Sequence, residues 1–299
     1  MNLAMTSTRP YRYRVVDVFT TQPLEGNALA VFPDAVGLDT ATMQKIAREL
    51  NLSETTFIFP SSRPDCLAQV RIFTPAYEMR FAGHPTIGTS FVLLDEGRIP
   101  AGCTRFNLDE KVGAVPIRIE ASARPLLWLT TPPISKGTVF ERNACARALG
   151  LSPGELLEPA PQLLSAGNPT LFIPVRDPGT VDHASLDLAG VKALKGTFAE
   201  PLCVFVFAPT AGGAYSRMFA PEHGIIEDPA TGSSTGPLAA YMMEHGWLGR
   251  TAGTKMVSEQ GVKMGRRSEL HVQLNGDAGR DGIEVGGYVT AVAEATLQI

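Results

Sequence analysis

The sequence contains little cysteine and no cluster of basic residues, and each scarcity excludes a class of protein. Its 299 residues include four cysteines without short spacings, which indicates neither a zinc ribbon nor a disulfide framework. These cysteines are Cys66, Cys103, Cys145 and Cys203. The net charge is −4, and basic residues are not interleaved with aromatics, so nucleic acid is not an expected partner. A reduced, cytoplasmic location is expected.

Long apolar runs are also missing from the chain. The longest, residues 202–208, is far shorter than the roughly 20 residues that a membrane-spanning helix needs. Residues 1–14 lack the apolar core of a signal peptide, so we expect no membrane association. Charged residues make up 19% and hydrophobic residues 44% of the chain, a balance typical of soluble enzymes.

One supersecondary unit occurs twice, in residues 71–97 and 217–246. An Arg-x-Phe-x-Pro motif is repeated with an offset of 146 residues (217 − 71). Its members are Arg71, Phe73 and Pro75 in the first copy and Arg217, Phe219 and Pro221 in the second. Beyond the motif the offset becomes 148, from Gly88 to Gly236, as a two-residue insertion in the second copy would produce. The repeat predicts two similar halves.

Each unit is predicted to be a strand, a Gly-rich turn and a helix that is apolar on all sides. The predicted helices cover residues 86–94 and 237–243, with Pro85 and Pro237 near their first residues. A helix without a polar face must be surrounded by protein. Each helix start carries about half a positive charge and free N–H groups, so two starts at one cleft would roughly balance one carboxylate. We therefore expect a small-molecule carboxylate as the ligand.

The remaining patterns predict an α+β fold of two similar domains. Each domain is expected to be a curled, mostly antiparallel sheet around its central helix. The predicted domains are residues 1–129, completed by a C-terminal strand 287–299, and residues 130–286, with the active site between them.

Local sequence patterns predict individual helices and strands along the chain. Residues 13–19 and 29–32 form a predicted hairpin, and Asp39 is placed to cap a helix over residues 40–50. Glu54 stands directly before the apolar strand 55–59. Further helices are predicted over residues 140–149 and 185–194, and a closing strand over residues 283–297.

Two Gly-rich motifs permit other interpretations. Residues 83–90 have the glycine spacing of a phosphate loop, but Thr89 replaces the lysine that would bind phosphate. Residues 232–236 match the G-x-S-x-G pattern of serine hydrolases, for which Glu259 and His271 are the downstream partners. His84 and Asp228 could each merely cap a turn, and Glu54 could simply be a solvated glutamate.

Several separated motifs resemble the PhzF-like phenazine biosynthesis family. They are GN near the N-terminus, NLSET, FAGHPTIG, DPATGSSTG, QGVKMGRRSEL and EVGGYV, which together span nearly the whole chain. The resemblance implies the diaminopimelate epimerase-like fold, with two similar domains around a cleft. One departure is Arg267, which stands where many relatives have proline.

The resemblance also implies roles for individual residues. The acid/base glutamate corresponds to Glu54, and His84 and Asp228 complete the expected catalytic group. Gly83, Gly232, Ser233 and Ser234 are the expected substrate-binding residues. Related racemases use two cysteines in the Gly-rich turns. Here Gly83 and Thr231 occupy those places, which excludes a two-thiol mechanism.

The expected function is a cofactor-independent isomerase of a small unsaturated or amino carboxylate, working by acid/base proton transfer. No metal or organic cofactor is expected. The protein is expected to form a homodimer. The main alternative is a protein that binds a small carboxylate in the same cleft without catalysis. A serine hydrolase that uses the GSSTG motif is a further alternative.

Overall fold

The computed structural model describes residues 9–196, 198, 200–275 and 282–299. Within these residues the chain forms eighteen strands and six α-helices. The strands of the first half are β1 Pro10–Val18, β2 Asn27–Phe32, β3 Glu54–Phe59, β4 Ala68–Phe73, β5 Glu78–Met79, β6 Arg105–Glu110, β7 Gly113–Glu120 and β8 Leu126–Thr130. Those that follow are β9 Ser135–Val139, β10 Gln162–Ser165, β11 Pro169–Pro174, β12 Cys203–Thr210, β13 Gly213–Ala220, β14 Ile225–Asp228, β15 Lys255–Gln260, β16 Ser268–Leu274, β17 Ile283–Gly287 and β18 Val289–Gln298. The helices are α1 Thr40–Leu50, α2 Gly83–Asp95, α3 Arg142–Ala148, α4 Pro178–His183, α5 Leu188–Lys195 and α6 Gly232–Glu244.

All eighteen strands belong to one hydrogen-bonded sheet that is mostly antiparallel. Parallel pairing occurs where a helix or a long loop connects neighbouring strands, as between β2 and β3 and between β11 and β12. The last strand, β18, pairs with β1, and β17 pairs with β8. The α+β class with curled antiparallel sheets is therefore confirmed, whereas the domain boundaries stay a prediction.

The two central helices are buried, as their apolar sequences predict. Helix α2 packs against β1, β2 and β8, and α6 packs against β10, β16 and β17. The first eight residues of α2 and all but two residues of α6 are buried, polar ones included. Sheet therefore surrounds each helix, and the small side chains of its first turns allow close packing.

The predicted bounds of α1 and its predicted Asp39 cap are confirmed. The Asp39 side chain accepts a hydrogen bond from the Thr42 N–H at 2.7 Å, and Asn51 ends the helix in a left-handed conformation. Met43, Ile46 and Ala47 form its buried face.

The predicted starts of the two central helices were wrong. Helix α2 begins at Gly83, so Pro85 is its third residue, and α6 begins at Gly232, so Pro237 lies inside the helix. The first turn of α6 contains glycine and serine, which have low intrinsic helix propensity. Burial stabilises the helix there and overrides that propensity.

Three other elements differ from the predictions. Helix α3 is shorter than residues 140–149 because Glu141 caps it. The helix predicted over residues 185–194 begins three residues later, as α5, because the Asp187 side chain caps it. Helix α4, capped by Asp177, precedes it and was not predicted. The strand predicted over residues 283–297 breaks at Tyr288, whose carbonyl accepts hydrogen bonds from the N–H groups of Phe19 and Thr20. No helix in the described part of the chain is long and apolar enough to span a membrane.

Candidate active site

The starts of α2 and α6 are buried and lie against each other. A Cβ atom added to Gly83 would lie 2.8 Å from the backbone of both Gly232 and Ser233. A Cβ atom on Gly232 would lie 3.0 Å from the ring of Phe19 and 3.3 Å from Gly83 Cα. Only glycine allows this approach, which brings two sets of first-turn N–H groups to one place.

A cavity opens beside the two helix starts and encloses about 560 Å³, including space open to solvent. All seven predicted site residues line it, and they come from both halves of the chain. They are Glu54, Gly83, His84, Asp228, Gly232, Ser233 and Ser234. The lining also includes Tyr77, Met79, Asn168, Cys203 and His223. The structure therefore brings the predicted residues together, while their roles stay predictions.

Glu54 is the first residue of β3, and its side chain is nearly removed from water. The residue is 8% exposed, and its Oε2 lies 3.4 Å from Nε2 of His84. Neither of these two atoms has a hydrogen-bond partner within the described residues. Burial, and secondly the charge of Asp228, raises the pKa of Glu54 well above 4.5. Its interpretation as a solvated glutamate is wrong.

His84 is a neutral side chain that faces Glu54. It is 4% exposed, and burial lowers its pKa to about 3. The amide nitrogen of Asn27 lies 3.3 Å from its Nδ1. Because an amide nitrogen only donates, Nδ1 is the acceptor and the ring proton is assigned to Nε2, beside Glu54. His84 makes no capping hydrogen bond at the start of α2.

Asp228 is held by side chains from both halves. Its carboxylate accepts hydrogen bonds from the amide of Asn27 at 2.8 Å and from the hydroxyl of Thr231 at 2.5 Å. Burial raises its pKa to about 6, although these two hydrogen bonds act in the opposite direction. The Gln260 amide donates to the Asp228 carbonyl at 2.7 Å and accepts from the Thr231 N–H at 3.1 Å.

The two serines of the second turn have different surroundings. Ser233 Oγ accepts a hydrogen bond from the amide of Asn168 at 3.4 Å. Ser234 is 1% exposed, and its hydroxyl pairs with that of Thr170 at 2.9 Å. The hydrolase interpretation requires Ser234 to meet a histidine, so this pairing with a threonine contradicts it.

The downstream partners of that interpretation are also engaged elsewhere. The Glu259 carboxylate is bound by the guanidinium of Arg267 at 2.5 Å, and the His271 ring packs edge-on against Tyr288. Arg267 therefore binds a neighbouring strand and is absent from the lining of the cavity.

Cys203 is a cavity residue that the sequence did not indicate. Burial, and then the charge of Asp228, raises the pKa of its thiol to about 12, which disfavours the reactive thiolate. Gly83 and Thr231 both line the cavity, as expected for the places that cysteines hold in thiol racemases.

Sequence reasoning missed several residues that organise the site. Asn27 contacts His84 and Asp228, and Gln260 positions the loop that carries Asp228. Both stood within motifs noted in the sequence, GN and QGVKMG, which were the available signals. No pattern pointed to Asn168, because its contact with Ser233 joins residues 65 positions apart.

Comparison with known proteins gives the family. The family described as phenazine biosynthesis-like protein matches residues 16–295. The chain belongs to this family. It is 36% identical to an uncharacterized isomerase of Mesorhizobium japonicum, over 96% of this chain and 98% of that protein. It is 35% identical to the trans-2,3-dihydro-3-hydroxyanthranilate isomerase of Pseudomonas aeruginosa, over 95% of this chain and 98% of that protein.

The fold is also that of the phenazine biosynthesis-like family. A PhzF-family protein of Bacillus anthracis superposes with a TM-score of 0.87, at 24% identity, over 97% of this chain and all of that one. The expected epimerase-like fold is thereby confirmed. The relatives are named isomerases, so this member of the family is an enzyme of the isomerase class, and the non-catalytic alternative is set aside.

Proposed function

We propose that this protein isomerises a small unsaturated or amino carboxylate by cofactor-independent proton transfer through Glu54. The observation that supports this proposal best is the environment of the Glu54 carboxylate. It is buried, one of its oxygens has no hydrogen-bond partner in the described chain, and it lines the cavity at the two helix starts. A carboxylate in such surroundings accepts and returns a proton near neutral pH because its pKa is raised.

The substrate carboxylate would bind where the two helices begin. First-turn N–H groups of α2 and α6, at Gly83 and Gly232, have no acceptor within their own helices. Ser233 adds a hydroxyl beside them. Two helix dipoles contribute roughly one positive charge, which matches one carboxylate in a cavity whose described lining contains no Lys or Arg.

The proton transfer needs only groups that the cavity holds. Glu54 would remove a proton from one carbon of the substrate, the double bond would shift, and Glu54 would return the proton to another carbon of the conjugated system. His84, neutral with its proton on Nε2, would donate a hydrogen bond to Glu54 or to the substrate. Asp228 would bind the amine of an amino acid substrate, since its raised pKa of about 6 leaves it ionised at pH 7.

The substrate of the Pseudomonas aeruginosa relative indicates a chemical class. That protein is named for an isomerase reaction on trans-2,3-dihydro-3-hydroxyanthranilate. We propose that the substrate here is likewise an amino acid with a carbon–carbon double bond conjugated to its carboxylate. On the same family resemblance we propose a homodimer, which light scattering after size-exclusion chromatography would test.

Proton exchange with solvent tests the function without knowledge of the natural substrate. Unsaturated amino acids, including the anthranilate derivative above, would be incubated in heavy water and followed by NMR and mass spectrometry. Wild type and Glu49→Gln, which alters an exposed glutamate of α1, should incorporate deuterium into at least one compound, and Glu54→Gln should not. Equal incorporation by Glu54→Gln would remove Glu54 from the mechanism.

A further inference from the structure

A second cavity of about 850 Å³, including space open to solvent, adjoins the candidate active site. The two cavities share three lining residues, Tyr77, Met79 and Asn168. Asn168 also donates its hydrogen bond to Ser233, at one of the two helix starts. The remaining lining comes from β5 and the segment that follows it, from the turn between β6 and β7, from the segment between β8 and β9, and from the loop before β11. A ligand longer than the first cavity would therefore extend into the second.

Arg80 supplies a positive charge to this second cavity. The residue is exposed, and no carboxylate lies within 4 Å of its guanidinium in the described part of the chain. The other charged residue of the lining, Glu78, already binds Arg71 through two hydrogen bonds of 2.8 and 2.9 Å. Glu78 also lies 3.5 Å from the Lys111 ammonium. Arg80 is thus available for an anionic group of a ligand.

The backbone fixes Arg80 relative to the catalytic cavity. Its carbonyl accepts a hydrogen bond from the Val112 N–H at 3.1 Å, and Arg80 stands three residues before Gly83, where α2 begins. The rest of the cavity wall is mostly apolar and suits a hydrocarbon chain. Its apolar members include Phe81, Val112, Pro132, Pro133 and Ala166.

We propose that Arg80 binds a second carboxylate at the far end of the substrate, which makes the substrate an elongated dicarboxylate. This inference rests on the proposed function for the first carboxylate, which binds at the helix starts. The hydrocarbon between the two carboxylates passes Met79 and Asn168 and packs on the apolar wall. A guanidinium and a carboxylate can form two parallel hydrogen bonds, which gives orientation as well as affinity.

Straight-chain acids of increasing length test the inference. Isothermal titration calorimetry would compare α,ω-dicarboxylates from succinate to suberate with monocarboxylates of the same carbon number. In wild type, one length of dicarboxylate should bind roughly tenfold tighter or more than its monocarboxylate, as a charge-assisted hydrogen bond predicts. The gain should shrink as salt is raised, because Arg80 is exposed.

Two variants test whether Arg80 causes the gain in affinity of the dicarboxylate over its monocarboxylate. Arg80→Met should abolish it and leave monocarboxylate binding unchanged. Arg105→Met removes the same charge from an exposed arginine that lines a different cavity, and it should leave the gain intact. A gain that persists in Arg80→Met, or no gain at any length in wild type, overturns the second site alone. Failure of every acid to bind wild type would instead contradict the carboxylate site at the helix starts and, with it, this inference.

Discussion

The two copies of the repeated unit share a framework. In each copy an arginine on a strand lies over the ring of a phenylalanine two residues later. The guanidinium carbon of Arg71 is 5.2 Å from the centre of the Phe73 ring, and that of Arg217 is 4.8 Å from the centre of Phe219. Each arginine also forms a bidentate pair with a glutamate of its own copy.

The copies differ in the groups that they bring to the cleft. The first contributes the neutral His84, and the second contributes Asp228 and the hydroxyl of Ser233. Glu54 belongs to neither copy and lies opposite His84. Equivalent positions also meet directly, since the Tyr77 hydroxyl lies 2.7 Å from Nδ1 of His223, 146 residues later. The repeat thus builds a symmetric frame, and unlike side chains within it provide the chemistry.

The largest expected effect is on the free energy of unfolding, and it distinguishes Arg217 from Arg71, the equivalent arginines of the two copies. Arg217 is 8% exposed and donates hydrogen bonds to three backbone carbonyls in addition to its glutamate, whereas Arg71 donates to its glutamate and to the Thr40 hydroxyl. Arg217→Met should lower the free energy of unfolding by about 3–5 kcal/mol, because it leaves buried acceptors without a partner. Arg71→Met should cost about 1 kcal/mol. Urea denaturation measures both, and equal losses would contradict the difference in burial.

Replacing Glu54, which lies outside both copies of the repeated unit, should abolish most of the catalytic activity. Glu54→Gln keeps the shape of the side chain but removes the base, so turnover should fall by about 10²-fold or more while ligand affinity persists. Steady-state kinetics and calorimetry measure the two quantities. The control, Glu49→Gln, should retain wild-type turnover. A Glu54→Gln variant that loses binding and turnover together would assign Glu54 to substrate binding.

Much of this frame was predictable from the sequence because its signals are local. The Asp39 cap and the apolar face of α1 lie within a dozen residues, and the repeat itself revealed both central helices. The start of α6 was not predictable, since its first turn is helical through packing against Gly83. Asn27 was missed for a related reason, because its contact with Asp228 joins residues 201 positions apart.

The contact between the two copies should be sensitive to a single methyl group. Gly83→Ala would place Cβ 2.8 Å from the backbone of Gly232, which cannot yield as a flexible side chain would. We expect a loss of about 1–3 kcal/mol in unfolding free energy, together with weaker carboxylate binding as the helix starts separate. Gly154→Ala, where a Cβ would meet nothing within 4 Å, is the control. Unchanged stability in Gly83→Ala would show that the two helix starts are less closely packed.

A smaller effect is expected for the hydroxyl that only the second copy supplies. Ser233→Ala should weaken binding of a monocarboxylate by about 1 kcal/mol, the net contribution of one hydrogen bond, with little change in turnover at saturation. Calorimetry with wild type and variant measures this difference. Ser185→Ala, which removes an exposed hydroxyl outside the cavity lining, should bind like wild type. A fall in turnover without a change in affinity would place Ser233 in the chemical step.

Titration of the Glu54 carboxyl group tests the proposed mechanism directly, because proton transfer near neutral pH depends on its pKa. Carbon-13 NMR of protein labelled at glutamate carboxyls would follow it, with Glu54→Gln assigning the resonance. We predict a midpoint well above 4.5 in wild type and a lower midpoint in Asp228→Asn, which removes the neighbouring negative charge. A midpoint at or below 4.5 in wild type would contradict the proposed role of Glu54.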